Sequence, residues 1–201
     1  MEKKESGLII FIKNPVAGKV KTRLAATIGD QRALGVYLNL MQHTRETALA
    51  VASNRYLFYD TELNSKDDWS PQDYIKEVQV NGDLGDRMQA AFKKVLANCK
   101  KAVIIGSDCP EINPQVIESA LRKLDLADVI IGPTYDGGYY LLGMKEHHPE
   151  LFTAMTWSID SVYEETLSRI KKKGLLYAAC PMLSDMDNEE DLKKFPDFDT
   201  A

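Results

Sequence analysis

Cysteine is scarce in this chain: Cys99, Cys109 and Cys180 are the only three, an odd number with no Cys-x-x-Cys spacing. That count excludes a disulfide framework and predicts a reducing, cytoplasmic setting. A surplus of positive charge is also missing. Thirty Asp and Glu stand against 25 Lys and Arg, for a net charge of −5, so no whole-surface field draws nucleic acid, although a local basic patch is not excluded. Long apolar runs are absent, and none approaches the ~20 residues of a membrane span. The opening MEKKESGLIIFIKNP passes straight into a strand-like run, too brief for a signal-peptide core. His43, His147 and His148 lack metal-ligand spacing, with the last two reading as an exposed pair, which argues against zinc. No G-x-S-x-G elbow serves a Ser-His-Asp hydrolase, and no His stands at readable spacing from Cys109 to make it a nucleophile. Internal repeats, low-complexity tracts and linkers are missing as well.

What is present is globular. Hydrophobic residues make up 44% of 201 and charged residues 27%, which predicts a single domain over 1–201. Short, β-branched, unalternating runs at 8–12, 102–106 and 128–132 fit strands buried on both faces. Weaker strand signals lie at 55–59, 75–80, 139–143 and 175–179. Helical stripes fall between them: Leu34, Leu38 and Met41; Met88, Ala91, Phe92 and Val95; Ile117, Leu121 and Leu124. Asn113-Pro114 reads as an N-cap with proline at the first helical position. Ser161 to Glu164 has capping-box spacing, with Tyr163, Leu167 and Ile170 behind it and Gly174 as the left-handed stop. Residues 60–71 form the one long polar connection. The alternation predicts an α/β domain of right-handed βαβ units.

In such sheets ligands bind beyond the carboxyl ends of the strands, and polar clusters gather there. After the first strand comes KNPVAGKVKTR (13–23), in which Lys13, Lys19, Lys21 and Arg23 surround Gly18 and Thr22. Four cations, a tight turn and the free N–H groups of a following helix suit a pyrophosphate; a solvated basic turn is the alternative. It is no Walker P-loop, because Val20 follows Gly18-Lys19 and Lys13 stands where a glycine belongs. Asp108 follows the strand at 102–106 and either caps a helix or serves as an oxygen ligand for Mg²⁺ or Mn²⁺. Asp185 and Asp187 alternate so that both carboxylates share one side of an extended segment, unless Asp187 caps a helix at 188–194. Asp136-Gly137-Gly138 is a hairpin signature, or a turn that admits substrate close to the backbone. Asp86 and Arg87 either contact a ligand or pair with each other. Trp157-Ser158 reads as core plus helix lead-in.

Five ordered motifs carry a family resemblance: GKVKTRL (18–24), GDLGDRM (82–88), GSDCP (106–110), GPTYDGGYYLLG (132–143) and DMDNEEDL (185–192). Together they resemble the radical-SAM/selenodomain-associated transferase 1 family of the nucleotide-diphospho-sugar transferase superfamily, across nearly the whole chain. More distantly the chain is similar to guanylyltransferases of molybdenum-cofactor and phospholactate type. The resemblance implies a Rossmann-like GT-A fold, a mostly parallel sheet flanked by helices. It implies a nucleotide over the first loop with Lys21 and Arg23 near its phosphates, and Asp108 at the metal-holding position. Two departures stand out: the glycine-rich loop is reduced to Gly18, and Ser107-Asp108-Cys109 replaces Asp-x-Asp.

The leading expectation is a transferase, dependent on Mg²⁺ or Mn²⁺ at Asp108 with Asp187 or Asp185, acting on a nucleotide-diphospho-sugar and a small-molecule acceptor. Lys21 supplies charge, Lys13, Gly18, Lys19, Thr22, Arg23, Asp86 and Arg87 contribute to nucleotide binding, and Asp136 orients the acceptor or serves as its general base. A nucleotidyltransferase releasing pyrophosphate and a non-catalytic nucleotide-binding module are the alternatives. All three require Lys21 and Asp108 on one edge.

Overall fold

The computed structural model describes residues 2–199. Seven strands appear, one at each segment marked by the sequence: β1 (Lys4–Ile12), β2 (Asn54–Tyr59), β3 (Tyr74–Val78), β4 (Cys99–Ile105), β5 (Val129–Pro133), β6 (Tyr139–Met144) and β7 (Tyr177–Ala179). Six α-helices accompany them: α1 (Thr22–Ile28), α2 (Asp30–Leu49), α3 (Leu84–Leu96), α4 (Pro114–Lys123), α5 (Val162–Lys172) and α6 (Glu189–Lys194). The strands make one sheet in the order β3-β2-β1-β4-β6-β5-β7. Every pairing is parallel except those of β6, which runs antiparallel between β4 and β5. The reason lies in the connection: only residues 134–138 separate β5 from β6, too few for a crossover. The carboxyl ends of β1, β4 and β5 therefore share one edge.

The unalternating runs arise because the sheet is covered on both sides. Leu8, Ile10 and Ile12 enter a core with Tyr37 and Met41 of α2 and Ile117 and Leu121 of α4. Their neighbour Ile9 enters the opposite core, with Met88, Phe92 and Val95 of α3 and Leu167 and Ile170 of α5. A third cluster joins Leu24, Ala33, Val36 and Leu40 to Met186 and Leu192, seating the chain's last helix against α1 and α2. Asn113 caps α4 through Val116 N–H, with Pro114 at the first turn. α5 ends as expected: Gly174 is left-handed (φ 68), its N–H bonds Lys171 O and that of Leu175 bonds Ile170 O.

Three expectations need correction. Leu38 is not part of the α2 stripe: it is 45% exposed, because the buried arc of that helix is centred on Tyr37 and Thr44. Ser161 sits at the N-cap of α5 but its side chain caps nothing; the carbonyl of Gly137 in the β5–β6 turn accepts from Tyr163 N–H instead. His147 and His148 are half-buried rather than exposed, and burial lowers the His147 pKa. The polar connection at 60–71 lies on the surface as expected, anchored at the buried Trp69 and at Asp67, which receives the Tyr59 hydroxyl and pairs with Lys76 at 2.5 Å. Among the described residues no helix is long and apolar enough to cross a membrane.

Candidate functional site

The edge where β1, β4 and β5 end is organised around one ammonium. Lys21 closes the loop after β1 in a left-handed conformation (φ 48, ψ 43), which a lysine adopts at a cost of about 1–2 kcal/mol. That turn starts α1 and sends the side chain inward, where it is 4% exposed. Its Nζ lies 2.6 Å from Asp108 Oδ1, 2.6 Å from the Met186 carbonyl oxygen and 3.8 Å from Asp187 Oδ1. Arg23 Nη1 approaches the other oxygen of Asp187 at 3.3 Å from the solvent side. The loops after β1 and β4 and the segment before α6 thus meet on a single cation, as the activity readings require.

Each carboxylate has its own environment. Asp108 caps no helix, since Asn113 does that for α4, and its own carbonyl accepts from Met186 N–H. Its side chain is half exposed. Asp187 caps nothing either: Asn188 caps α6, which begins at Glu189, leaving Asp187 to Lys21 and Arg23. Met186 is fully buried between them, and Asp185 lies within electrostatic reach of Lys21, Asp108 and Asp187. Burial and the charges of Asp108 and Asp136 push the Asp185 pKa up to about 7, against the opposing pull of Lys21. Asp136 fits the hairpin reading. Its Oδ1 accepts from Thr134 Oγ1 at 2.5 Å and from Gly138 N–H, holding the hairpin, while the residue is exposed and electrostatically felt by Asp185.

The Asp185 shift carries a pH prediction. The neutral carboxyl favours the fold, fully so below the unfolded value near pH 4, and that contribution is lost as pH rises through about 7. In chelator-treated protein, Asp185→Asn is therefore expected to gain on the order of 1–3 kcal/mol over the parent at pH 8 and little at pH 4. Urea unfolding at both pH values checks this; equal stability at pH 8 would mean a solvated Asp185.

The remaining predicted residues divide. Lys13 and Lys19 are exposed on the first loop, and their ammonium groups have no partner among the described residues. Gly18 is left-handed (φ 77), and Thr22 opens α1, whose seven residues give only a weak helix dipole. Asp86 and Arg87 do not pair with each other and make no contact with the Lys21 cluster. Asp86 completes a capping box with Asp83, and Arg87 Nε bonds Gly82 O. Trp157 lies against Gly85, where a Cβ would stand 2.6 Å from its Nε1. His43 bonds the Ile112 carbonyl, away from the cation. Burial pushes the Cys109 thiol up to about 12, which removes it as a nucleophile.

Sequence reasoning missed three participants. The Met186 carbonyl is a backbone group and left no trace in composition. Asn14 ties the first loop to the loop after β2, its side chain bonding Thr61 and Glu62 and its N–H bonding Asp60. Tyr37, which the sequence reading did not single out, turns its hydroxyl to Lys13.

Known proteins resemble this chain in fold and in sequence. A crystal structure of a proposed nucleotide-diphospho-sugar transferase from Desulfovibrio desulfuricans G20 is 29% identical, with a TM-score of 0.89 over 96% of this chain and 86% of that one. The inositol-1-phosphate CTP transferase of T. maritima has the same fold at 12% identity (TM-score 0.56, 98% of this chain, 95% of that one). In sequence, the chain is 26% identical over 145 residues to the 2-phospho-L-lactate guanylyltransferase of Methanocaldococcus vulcanius, a match spanning 69% of this chain and 61% of that relative's length. The fold is thus the Rossmann-like one expected, shared by nucleotidyltransferases and nucleotide-sugar transferases. Residues 43–159, more than half of its length, match the family described as an uncharacterized protein conserved in bacteria (DUF2064), and the chain belongs to that family.

Proposed function

We propose that the chain is a nucleotidyltransferase, joining the α-phosphate of a nucleoside triphosphate to a small-molecule acceptor. The observation that carries this is the buried Lys21 ammonium facing Asp108 and Asp187, with Lys13 and Lys19 displayed on the same loop and Arg23 in the first turn of α1. A triphosphate carries more negative charge than the diphosphate of a nucleotide sugar, and this cation-rich half suits the former. The guanylyltransferase relative supports the same choice.

In this reading Lys13, Lys19, Lys21 and Arg23 hold the phosphates, and Gly18 and Thr22 let the loop approach them. The acceptor oxygen attacks the α-phosphorus, the bond to the β-phosphate oxygen breaks, pyrophosphate leaves, and Asp136 takes the acceptor proton. Asp86 and Arg87 shape the rim only, since their bonds are made at the start of α3.

A divalent Mg²⁺ or Mn²⁺ is implied by the fold family. The donors present are carboxylates, and burial and then the charges of Asp108 and Asp136 raise one of them, Asp185, to a pKa of about 7; such oxygens suit a hard cation. Among the described residues no three such groups converge as a complete metal cage, so protein oxygens from Asp108 with Asp185 or Asp187 would supply part of the shell. Bound there, such an ion offsets charge developing on the leaving pyrophosphate.

Sugar transfer from a nucleotide-diphospho-sugar is the second reading, favoured by the 29% likeness to the Desulfovibrio protein. A place within the radical-SAM/selenodomain-associated transferase 1 group, and a cytoplasmic setting, belong to either proposal. The test is pyrophosphate release from ATP, CTP, GTP and UTP with Mg²⁺ or Mn²⁺ and mixed sugar phosphates and alcohols. Release with one base, abolished in Asp108→Asn, is expected. Consumption of a nucleotide sugar without pyrophosphate selects the second reading, and nucleotide binding without turnover a non-catalytic module.

A further inference from the structure

The two loops that meet at Lys21 leave neighbouring strands, yet the sheet does not hold them together. The β1–β4 ladder pairs Ile10 with Ile105 at its end, short of both loops. Among the described residues, three polar links bridge residues 13–21 and 106–110. One is the Lys21–Asp108 ion pair. A second runs through Met186, whose carbonyl accepts from Lys21 Nζ and whose N–H bonds the Asp108 carbonyl. The third is the hydroxyl of Tyr37, on the 20-residue helix α2. Its oxygen accepts from Lys13 N–H at 2.8 Å, donates to the Lys13 carbonyl at 3.0 Å, and lies 3.3 Å from Ser107 Oγ. With its one proton given to Lys13, the phenol accepts from the Ser107 hydroxyl, so all of its hydrogen-bonding capacity is used.

We propose that Tyr37 is a positioning residue: its buried hydroxyl sets the separation between the cationic first loop and the Asp108 loop, so that one polyanion–metal ligand can engage both. The ring is 2% exposed and packs in the core with Met41. A ring with two torsions, already locked by packing, holds a distance that the long Lys21 side chain does not. Ser107, itself 3% exposed, is the residue immediately before Asp108, so the bond acts one residue from the carboxylate. Burial and the nearby Asp108 charge drive the phenol far above its ordinary range, so it keeps its proton and works as a tether rather than as an acid or base.

The ligand arm of the test rests on the functional reading above; the other arm does not. The variant is Tyr37→Phe, which keeps the ring, with Tyr74→Phe as control, since Tyr74 is equally buried and bonds Arg45 O away from the site. Amide exchange is followed in the ligand-free chain at Lys19, whose N–H bonds Val16 O, and at Met186, whose N–H bonds Asp108 O. Neither touches Tyr37. Both are expected to exchange at least roughly fivefold faster in Tyr37→Phe, with no change in the control. Mn²⁺ and inorganic tripolyphosphate are then titrated alone and together. In Tyr37→Phe each alone should bind within twofold of the parent, while their mutual enhancement falls about tenfold. Unchanged exchange at both amides overturns the proposal, as does equal loosening in Tyr74→Phe, which would mark a general loss of stability. If the parent binds neither probe, the functional reading fails and amide exchange alone decides the tether.

Discussion

Lys21→Met is expected to lower pyrophosphate-releasing turnover by about 10²–10³-fold while the protein stays folded. Methionine keeps the apolar stem and removes the ammonium that Asp108, Asp187 and the Met186 carbonyl share. The stability cost should be modest, about 1–2 kcal/mol, because both carboxylates are about half exposed and regain water once the pair is broken. The rate loss should be large, because the same ammonium is the one cation of the loop fixed at the junction of all three segments. Lys21→Gly separates two roles. It relieves the left-handed backbone strain, so it should unfold no more easily than Lys21→Met, yet be equally inactive. Urea unfolding with a pyrophosphate assay on each variant checks both; activity within tenfold of the parent would reduce Lys21 to a structural pillar.

The second large effect is on stability. Gly137→Ala is expected to cost about 3–4 kcal/mol, lowering the melting temperature by roughly 6–16 °C. Gly137 has φ 88, and a Cβ there would lie 1.9 Å from the Asp160 carbonyl oxygen, a backbone atom with no side-chain torsion to relieve it. The movement would also break the Gly137 carbonyl's bond to Tyr163 N–H, which starts α5. Gly174→Ala is the control. Its φ of 68 is equally left-handed, but a Cβ there meets nothing within 4 Å, so it should cost only about 1–2 kcal/mol. Equal losses in the two variants would show that backbone conformation, not the contact with Asp160, sets the cost. Because Asp136 precedes Gly137 in the same turn, Gly137→Ala should also depress turnover well below its folded fraction.

The legible parts of this protein were those written in local patterns. The strands at 8–12, 102–106 and 128–132 could be placed because a strand covered on both faces must be apolar at every position, as at Leu8, Ile9 and Ile10, which serve two separate cores. The α4 cap and the α5 stop could be read because Asn113-Pro114 and Gly174 answer needs of their own few residues. Leu38 and Ser161 were misread for the opposite reason. Which arc of α2 is buried depends on what packs against it, and the first turn of α5 is satisfied by a carbonyl from a distant hairpin.

The candidate site shows the same division. Charged residues after β1, β4 and β5 were visible as clusters, and the strand-end rule placed them on one edge. By itself, then, the sequence determined the α/β architecture, the charges available at its rim and the turns able to carry them, because propensity and periodicity act over a few residues. Only the tertiary structure decided that Lys21 is the shared cation, that Asp187 rather than Asn188 is left free, and that Tyr37 reaches across to Lys13 and Ser107. The contacts among Lys21, Tyr37 and their partners join residues 24 to 165 apart, and such distances are set by packing, which no local pattern encodes.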